Sequence, residues 1–390
     1  MFYIGAPLPL WVLCLDSIRL QVNYDEMENK RGEEYMMKKL PIVLPPDIVS
    51  ECWTIYKMAV IQTHPNVEEW LASKKLDVFL YGKNRPFFGE FGECGAMYPL
   101  SYFNDILQCH EVTIANPGDI VEVVEREIDQ GHYLVVDLNF TTLMHDTAHE
   151  APYIHEILIY GYDEERKVFY YGGAEEDELA YDVFLENFTS VWELYRGDDK
   201  RRYTRRLWHF PVTSISLRLD YHNDNACFDL LRKIEREWKV GTSTETRYTA
   251  TGDIEEQSTY HTGIYALLFL RDQLTGMLEQ SPSDQDCYNA MLTILKLCEH
   301  RALLLRSMAW FINRNGLLER EDSAEPIRAA YERYSRCVDE MTITRLNFLK
   351  YLETKNAATL QKVIDRLHVQ YTLEYGALEQ FLQTAKEFYH

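Results

Sequence analysis

Apolar residues along this chain fall into two rhythms. Up to about residue 218 they come in short runs or alternate with polar ones, and turn residues interrupt them; beyond 222 they recur at three- and four-residue steps over long stretches. Alternation marks strands, because successive side chains of an extended chain point to opposite faces, and a step of three or four marks helices. The clearest strand pattern is Ala151–Gly173, APYIHEILIYGYDEERKVFYYGG. There Ile154, Leu158 and Tyr160 alternate with His155, Ile157 and Ile159; the polar Tyr162–Arg166 supplies a turn, and Val168–Tyr171 returns as the partner strand. Val78–Tyr81 and Tyr133–Leu138 read as further strands. Helices are expected at SECWTIYKMAVIQ after Pro45-Pro46-Asp47, at VEEWLASK after His64-Pro65-Asn66, and at Asp119–Gln130 with Gly131 as the stop.

The second half predicts helices at about 224–239, 258–279, 284–313, 323–353 and 357–388, with the polar, threonine-rich Gly241–Gln257 as a connector. Of the 13 prolines, 11 precede residue 218, which leaves the later stretch open to long helices. The expected fold class is therefore α+β: a domain over residues 1–218 of antiparallel sheet and helices, a boundary near Ser214–His222, and an all-α domain over residues 222–390.

Composition narrows the function. Hydrophobic residues make up 46% of the chain and aromatic ones 13%, enough for packed cores in two or three domains. A net charge of −22 argues against a nucleic-acid partner, which would need a cationic surface. One local exception is Arg196–Arg206, RGDDKRRYTRR, read either as a solvated loop or as a docking patch for an acidic partner. The eight cysteines (Cys14, Cys52, Cys94, Cys109, Cys227, Cys287, Cys298 and Cys337) are scattered and contain no CxxC, as expected of free thiols in a reducing compartment. The apolar N-terminus, MFYIGAPLPLWVLCLD, lacks a basic flank and is broken by prolines, so it reads as strand and loop. No run of 18 apolar residues occurs, and a cytoplasmic protein without a membrane span is expected.

The residues that can carry chemistry are cysteines and histidines. A cysteine nucleophile needs a thiolate, which a helix N-terminus or a neighbouring imidazolium stabilises. Cys52 meets the first condition, in the first turn of a helix that Ser50 or Asp47 could cap, although the adjacent Glu51 opposes ionisation. His155 follows about a hundred residues later at the start of a strand, the order helix-borne Cys then strand-borne His. Cys94, flanked by glycine in Gly92-Glu93-Cys94-Gly95, is the rival; Cys109 beside His110 is a neighbour in sequence only. A group to orient His155 is sought among Asp137, Glu175 and Asp177, because the position after the returning strand is Gly173. A metal reading would use His145, His149 and His155, the first two four residues apart.

LPIVLPPDIVSECWTIYKMAV, the tryptophan-containing helix after it, HEILIYGYDEERKVFYYGG and the helical second half together resemble the butirosin biosynthesis protein H N-terminal domain family. The resemblance covers roughly residues 38–212 and is carried mainly by HEILIYGYD. It implies a papain-like first domain. It also implies transfer of an acyl group from an acyl or peptidyl carrier protein, within nonribosomal-peptide or polyketide biosynthesis. His155 matches the family histidine, and Cys52 stands at the start of the helix where catalytic members place the nucleophile. The family acid after the returning strand is glycine here, near Gly173.

The expectation is a cysteine-dependent acyl-thioester enzyme: an acyltransferase, cyclase or thioesterase with Cys52 as nucleophile, Cys94 as its rival and His155 as base. No intrinsic cofactor is expected; the substrate would arrive on phosphopantetheine, with a small-molecule acyl acceptor. The alternative is a non-catalytic papain-like domain that binds a carrier protein, peptide or small molecule. The helical domain is expected to act as a lid or a homodimer interface.

Overall fold

The computed structural model describes residues 37–50, 52–74, 77–81, 87, 89–92, 103–143, 153–173, 175–196, 212–239, 241–248, 254–280 and 282–389. In chain order the elements begin with β1 (Met37–Lys39), α1 (Cys52–Ile61), α2 (Val67–Ser73), β2 (Asp77–Tyr81), β3 (Gly89–Gly92) and β4 (Leu107–Glu111). There follow α3 (Ile120–Asp129), β5 (Tyr133–Asn139), α4 (Phe140–Leu143), β6 (Ile154–Asp163), β7 (Val168–Gly172), β8 (Glu176–Ala180), α5 (Tyr181–Arg196) and β9 (Val212–Leu217). The last group is α6 (Ala226–Lys239), β10 (Thr242–Tyr248), β11 (Ile254–His261), α7 (Tyr265–Glu279), α8 (Asp284–Arg314), α9 (Ala324–Thr354) and α10 (Ala357–Phe388).

These elements form two compact units, and the division does not follow a single cut in the chain. One unit takes residues 1–60 and 109–216, the other residues 61–108 and 217–390. Each has its own antiparallel sheet, so the class is α+β with a helical C-terminal region.

In the first unit the sheet order is β4-β9-β5-β6-β7-β8, and β1 pairs with β6 beyond the point where β5 leaves it. The Ala151–Gly173 hairpin is present as β6 and β7. Every residue of β5 is buried, in keeping with its apolar run. On one face Leu134, Val136 and Leu138 of β5 meet Ile157 and Ile159 of β6, Val124 and Ile128 of α3, and Phe184 and Phe188 of α5. The amphipathic spacing of Ile120, Val123, Val124 and Ile128 is what turns α3 toward this core.

In the second unit the sheet order is β10-β11-β2-β3. The segment read as a connector is in fact a strand hairpin, so this half is not all-α. Thr242, Thr244, Thr246 and Tyr248 alternate with polar residues, a β-favouring pattern hidden by its lack of aliphatic side chains. The helix expected from 258 starts at Tyr265, after Gly263 with φ +59° ends β11's extension. The long helices sit close to their expected limits. Ser283 caps α8 by accepting from Asp286 N while the Asp286 carboxylate returns to Ser283 N. Asn356, at the turn between α9 and α10, accepts from Ala358 N at 2.8 Å. Their inner faces share a core with α6 and α8 that includes Leu230, Ile234, Met308, Phe311, Tyr334 and Phe381. Among the described residues no helix is long and apolar enough to cross a membrane.

Candidate functional site

The two candidate cysteines differ in what can be said of them. Cys94 lies outside the described residues, as does the side chain of Cys52; the backbone of Cys52 opens α1. His155 is the second residue of β6, paired across the ladder with Leu138. Its half-buried ring packs edge-on to Phe140, centroids 5.5 Å apart, and lies 5.9 Å from that of Tyr153.

The geometry of His155 sets its tautomer. Nδ1 lies 2.8 Å from the carbonyl oxygen of Glu156. A carbonyl only accepts, so Nδ1 carries a proton, and in the neutral ring the lone pair then lies on Nε2. That is the form a general base needs, and a backbone oxygen supplies the orientation that a side-chain acid supplies elsewhere. The same oxygen accepts from Tyr56 Oη of α1 at 2.5 Å. The start of β6 and the helix opened by Cys52 thus meet on one atom.

None of the acids considered as the orienting group is the hydrogen-bond partner of Nδ1. Asp137 pairs with Glu156, and cross-strand partners share a face, so Asp137 and His155 point to opposite sides of the sheet. Asp177 on β8 accepts from Tyr171 Oη at 3.0 Å. Glu175 gives its carbonyl to Gly173 N. Gly173 itself has a local reason: a Cβ there would stand 3.1 Å from Cε1 of Tyr56. A side chain at this position would therefore press on the Tyr56 ring from its first carbon. His145, His149 and residues 197–206 of the basic stretch lie outside the described residues.

A second group in the same unit was missed in the sequence. His110 of β4, Glu127 of α3 and His132, just before β5, bring one ligand atom each within 4.8 Å of one another. His132 Nδ1 stands 3.0 Å from Glu127 Oε2, and Ser214 Oγ donates to that oxygen at 3.1 Å. Arg126 reaches Oε1 at 3.2 Å. The rings of His110 and His132 are 5.9 Å apart and nearly perpendicular. Burial by itself would raise the Glu127 carboxyl, but hydrogen bonds from His132, Arg126 and Ser214 outweigh it and hold the group below its ordinary value. A local signal existed. Gly131, at φ +83°, stops α3, and the chain folds back so that His132 N donates to Glu127 O and Gly131 N to Ile128 O. This glycine-stopped helix end brings the side chains of positions 127 and 132 together.

In the second unit Asp77 of β2, Glu237 of α6 and His300 of α8 also converge, all buried. Here the cations are already part of the protein. Arg236 spans both oxygens of Asp77 at 3.0 and 2.8 Å, and Arg301 Nε donates to Glu374 Oε2 at 2.9 Å. The buried Lys233 donates to Leu71 O. Burial, with the nearby Glu237 carboxylate, pushes Asp77 up to about 6. Burial would raise Glu237 too, but His300, Arg301 and Lys233 reverse the direction and hold it low. A closed, internally compensated charge layer of this kind serves the packing of α6, α8 and α10. No protein-family model matches this chain, and no curated protein matches it.

Proposed function

We propose that the first unit is a papain-like cysteine domain of the kind its resemblance to the butirosin biosynthesis protein H N-terminal domain family implies, acting on carrier-bound acyl thioesters. The observation that carries this reading is the Glu156 carbonyl, which holds His155 in the base-competent tautomer and ties it to Tyr56. Cys52 precedes Tyr56 by four residues, and positions four apart share a helix face.

In this mechanism His155 Nε2 takes the proton of the Cys52 thiol. The thiolate adds to the thioester carbon of an acyl group on the phosphopantetheine of an acyl or peptidyl carrier protein. Backbone N–H groups at the start of α1 face the developing oxyanion. The adduct collapses with loss of the phosphopantetheine thiol, which leaves with the proton from His155. His155 then takes a proton from an amine, hydroxyl or water as that acceptor attacks the acyl-cysteine. The acceptor keeps the acyl group, and the thiol of Cys52 is restored.

Limited iodoacetamide labelling near neutral pH, read by peptide mapping over all eight cysteines, tests this. Cys52 should react fastest and slow sharply in His155→Ala. Fast labelling of Cys94 with the same His155 dependence would move the nucleophile and keep the mechanism. Rates that ignore His155 would end the enzyme reading. The second reading, a binding domain on this fold, draws on position 173, which is glycine and where an added Cβ would press on the Tyr56 ring. Under it Cys52→Ala keeps affinity for an acylated carrier protein and no turnover exists to lose.

A further inference from the structure

We propose that His110, Glu127 and His132 form a binding site for a divalent transition-metal ion of the zinc class, with a coordination position left open to solvent. The site is independent of Cys52 and His155 and uses none of the residues of the thioester mechanism.

The donor set comes first. Two imidazoles and one carboxylate suit zinc and its borderline neighbours; magnesium and calcium prefer oxygen ligands throughout. Three protein donors rather than four leave room for a water or a ligand, as in sites that do chemistry or bind exchangeable groups. The three ligand atoms already lie within 4.8 Å of one another, so small side-chain rotations bring them onto one ion.

The fold also builds this cluster in an unusual way. At a helix end of the type formed by Gly131, the residues three before the cap and two after it usually share an apolar contact. Here those positions are Glu127 and His132, two ionisable side chains in hydrogen-bond contact. Glu127 is buried although charged, and the hydroxyl of Ser214 on β9 fixes one of its oxygens. A hydrogen-bonded outer partner of this kind orients a ligating carboxylate. His110 comes from β4, the edge strand of the sheet, and is exposed, so an ion can enter from solvent. Among the described residues, the cation that competes for Glu127 is Arg126, whose side chain is 56% exposed and can leave Glu127 for water.

The test uses the full chain without an affinity tag. Zinc binding is measured by calorimetry, and cobalt(II) serves as the spectroscopic probe, because the cysteines could otherwise mimic the result. The expected outcome is one saturable equivalent with visible cobalt bands and no thiolate charge-transfer band in the near ultraviolet. His110→Ala, a change at an exposed position, should weaken binding by more than the roughly 10- to 100-fold that losing an outer partner of a metal ligand costs. Ser214→Ala should fall within that smaller range, and Cys52→Ala should leave binding unchanged, so this test and the labelling test fail separately. Absence of saturable binding, a thiolate band, or affinity unchanged in His110→Ala with its melting curve intact would overturn the proposal.

Discussion

Glu374→Gln should open the helical half of the second unit, and its size follows from the surroundings of Arg301. Arg301 and Glu374 are 1% and 2% exposed, with Nε 2.9 Å from Oε2. Arg301 Nη1 also donates to Leu297 O at 3.2 Å, while Nη2 has no hydrogen-bond partner among the described residues. Glutamine keeps the volume and an acceptor oxygen but removes the charge. Two opposite charges about 4 Å apart at an effective dielectric of 20 attract by about 4 kcal/mol. Removing one partner of a buried pair costs about 3–5 kcal/mol, because the other stays buried and uncompensated. The retained hydrogen bond places Glu374→Gln near the lower end, about 3 kcal/mol, or roughly two orders of magnitude in an opening equilibrium. Hydrogen exchange read by mass spectrometry on peptides of α8 and α10 measures that opening directly, with β5 and β6 of the other unit as internal control. Arg301→Met with Glu374→Leu should recover most of the loss, since apolar replacement of a whole buried pair is near neutral or stabilising. A loss under about 1 kcal/mol in Glu374→Gln, or a double variant as damaged as the single one, would refute the assignment of this layer to packing.

Gly131→Ala puts an L-residue at φ +83° with nothing within 4 Å of the new Cβ, so the cost is conformational alone, about 1–2 kcal/mol. A thermal melt should fall by a few degrees, and Gly131→Asn should recover part of it; an unchanged melt would mean that the turn relaxes freely. Tyr56→Phe removes the hydroxyl on the Glu156 oxygen but leaves His155 Nδ1 there, so about 1 kcal/mol is expected, with slower labelling of Cys52 as the functional readout. Glu127, held below its ordinary value of 4.5, contributes stability that is complete above that pH and is lost as pH falls through its folded value. Acid titration of Glu127→Gln should therefore show a shallower decline below pH 4.5 than the unaltered protein, and parallel curves would contradict the assignment.

Local order was legible because its causes are local. The stop at Gly131 and the three- and four-residue apolar steps after residue 222 act within a few residues of one another, and α3, α8, α9 and α10 end near where those signals stand. The alternation through His155 likewise set β6 and its return. Thr242–Tyr248 differs: it is a strand in the structure, but it has no aliphatic residues to mark it as one in the sequence.

The candidate sites were only partly readable. His155 could be found from its place at the head of a strand, but its partner is a backbone carbonyl, and every residue has one. Tyr56 carried no mark that it would share that oxygen from a hundred residues away. Glu127 and His132 are joined by a helix stop that a sequence displays, whereas His110 reaches them only because β4 takes the edge of the sheet beside β9. Asp77, Glu237 and His300 converge because residues 61–108 pack with the helical half. Short-range hydrogen bonds and the hydrophobic period determine which segments are helix or strand from sequence alone. Which strand pairs with which, and therefore which side chains share a site, is decided by burial of whole faces, a sum over distant residues that no local pattern contains.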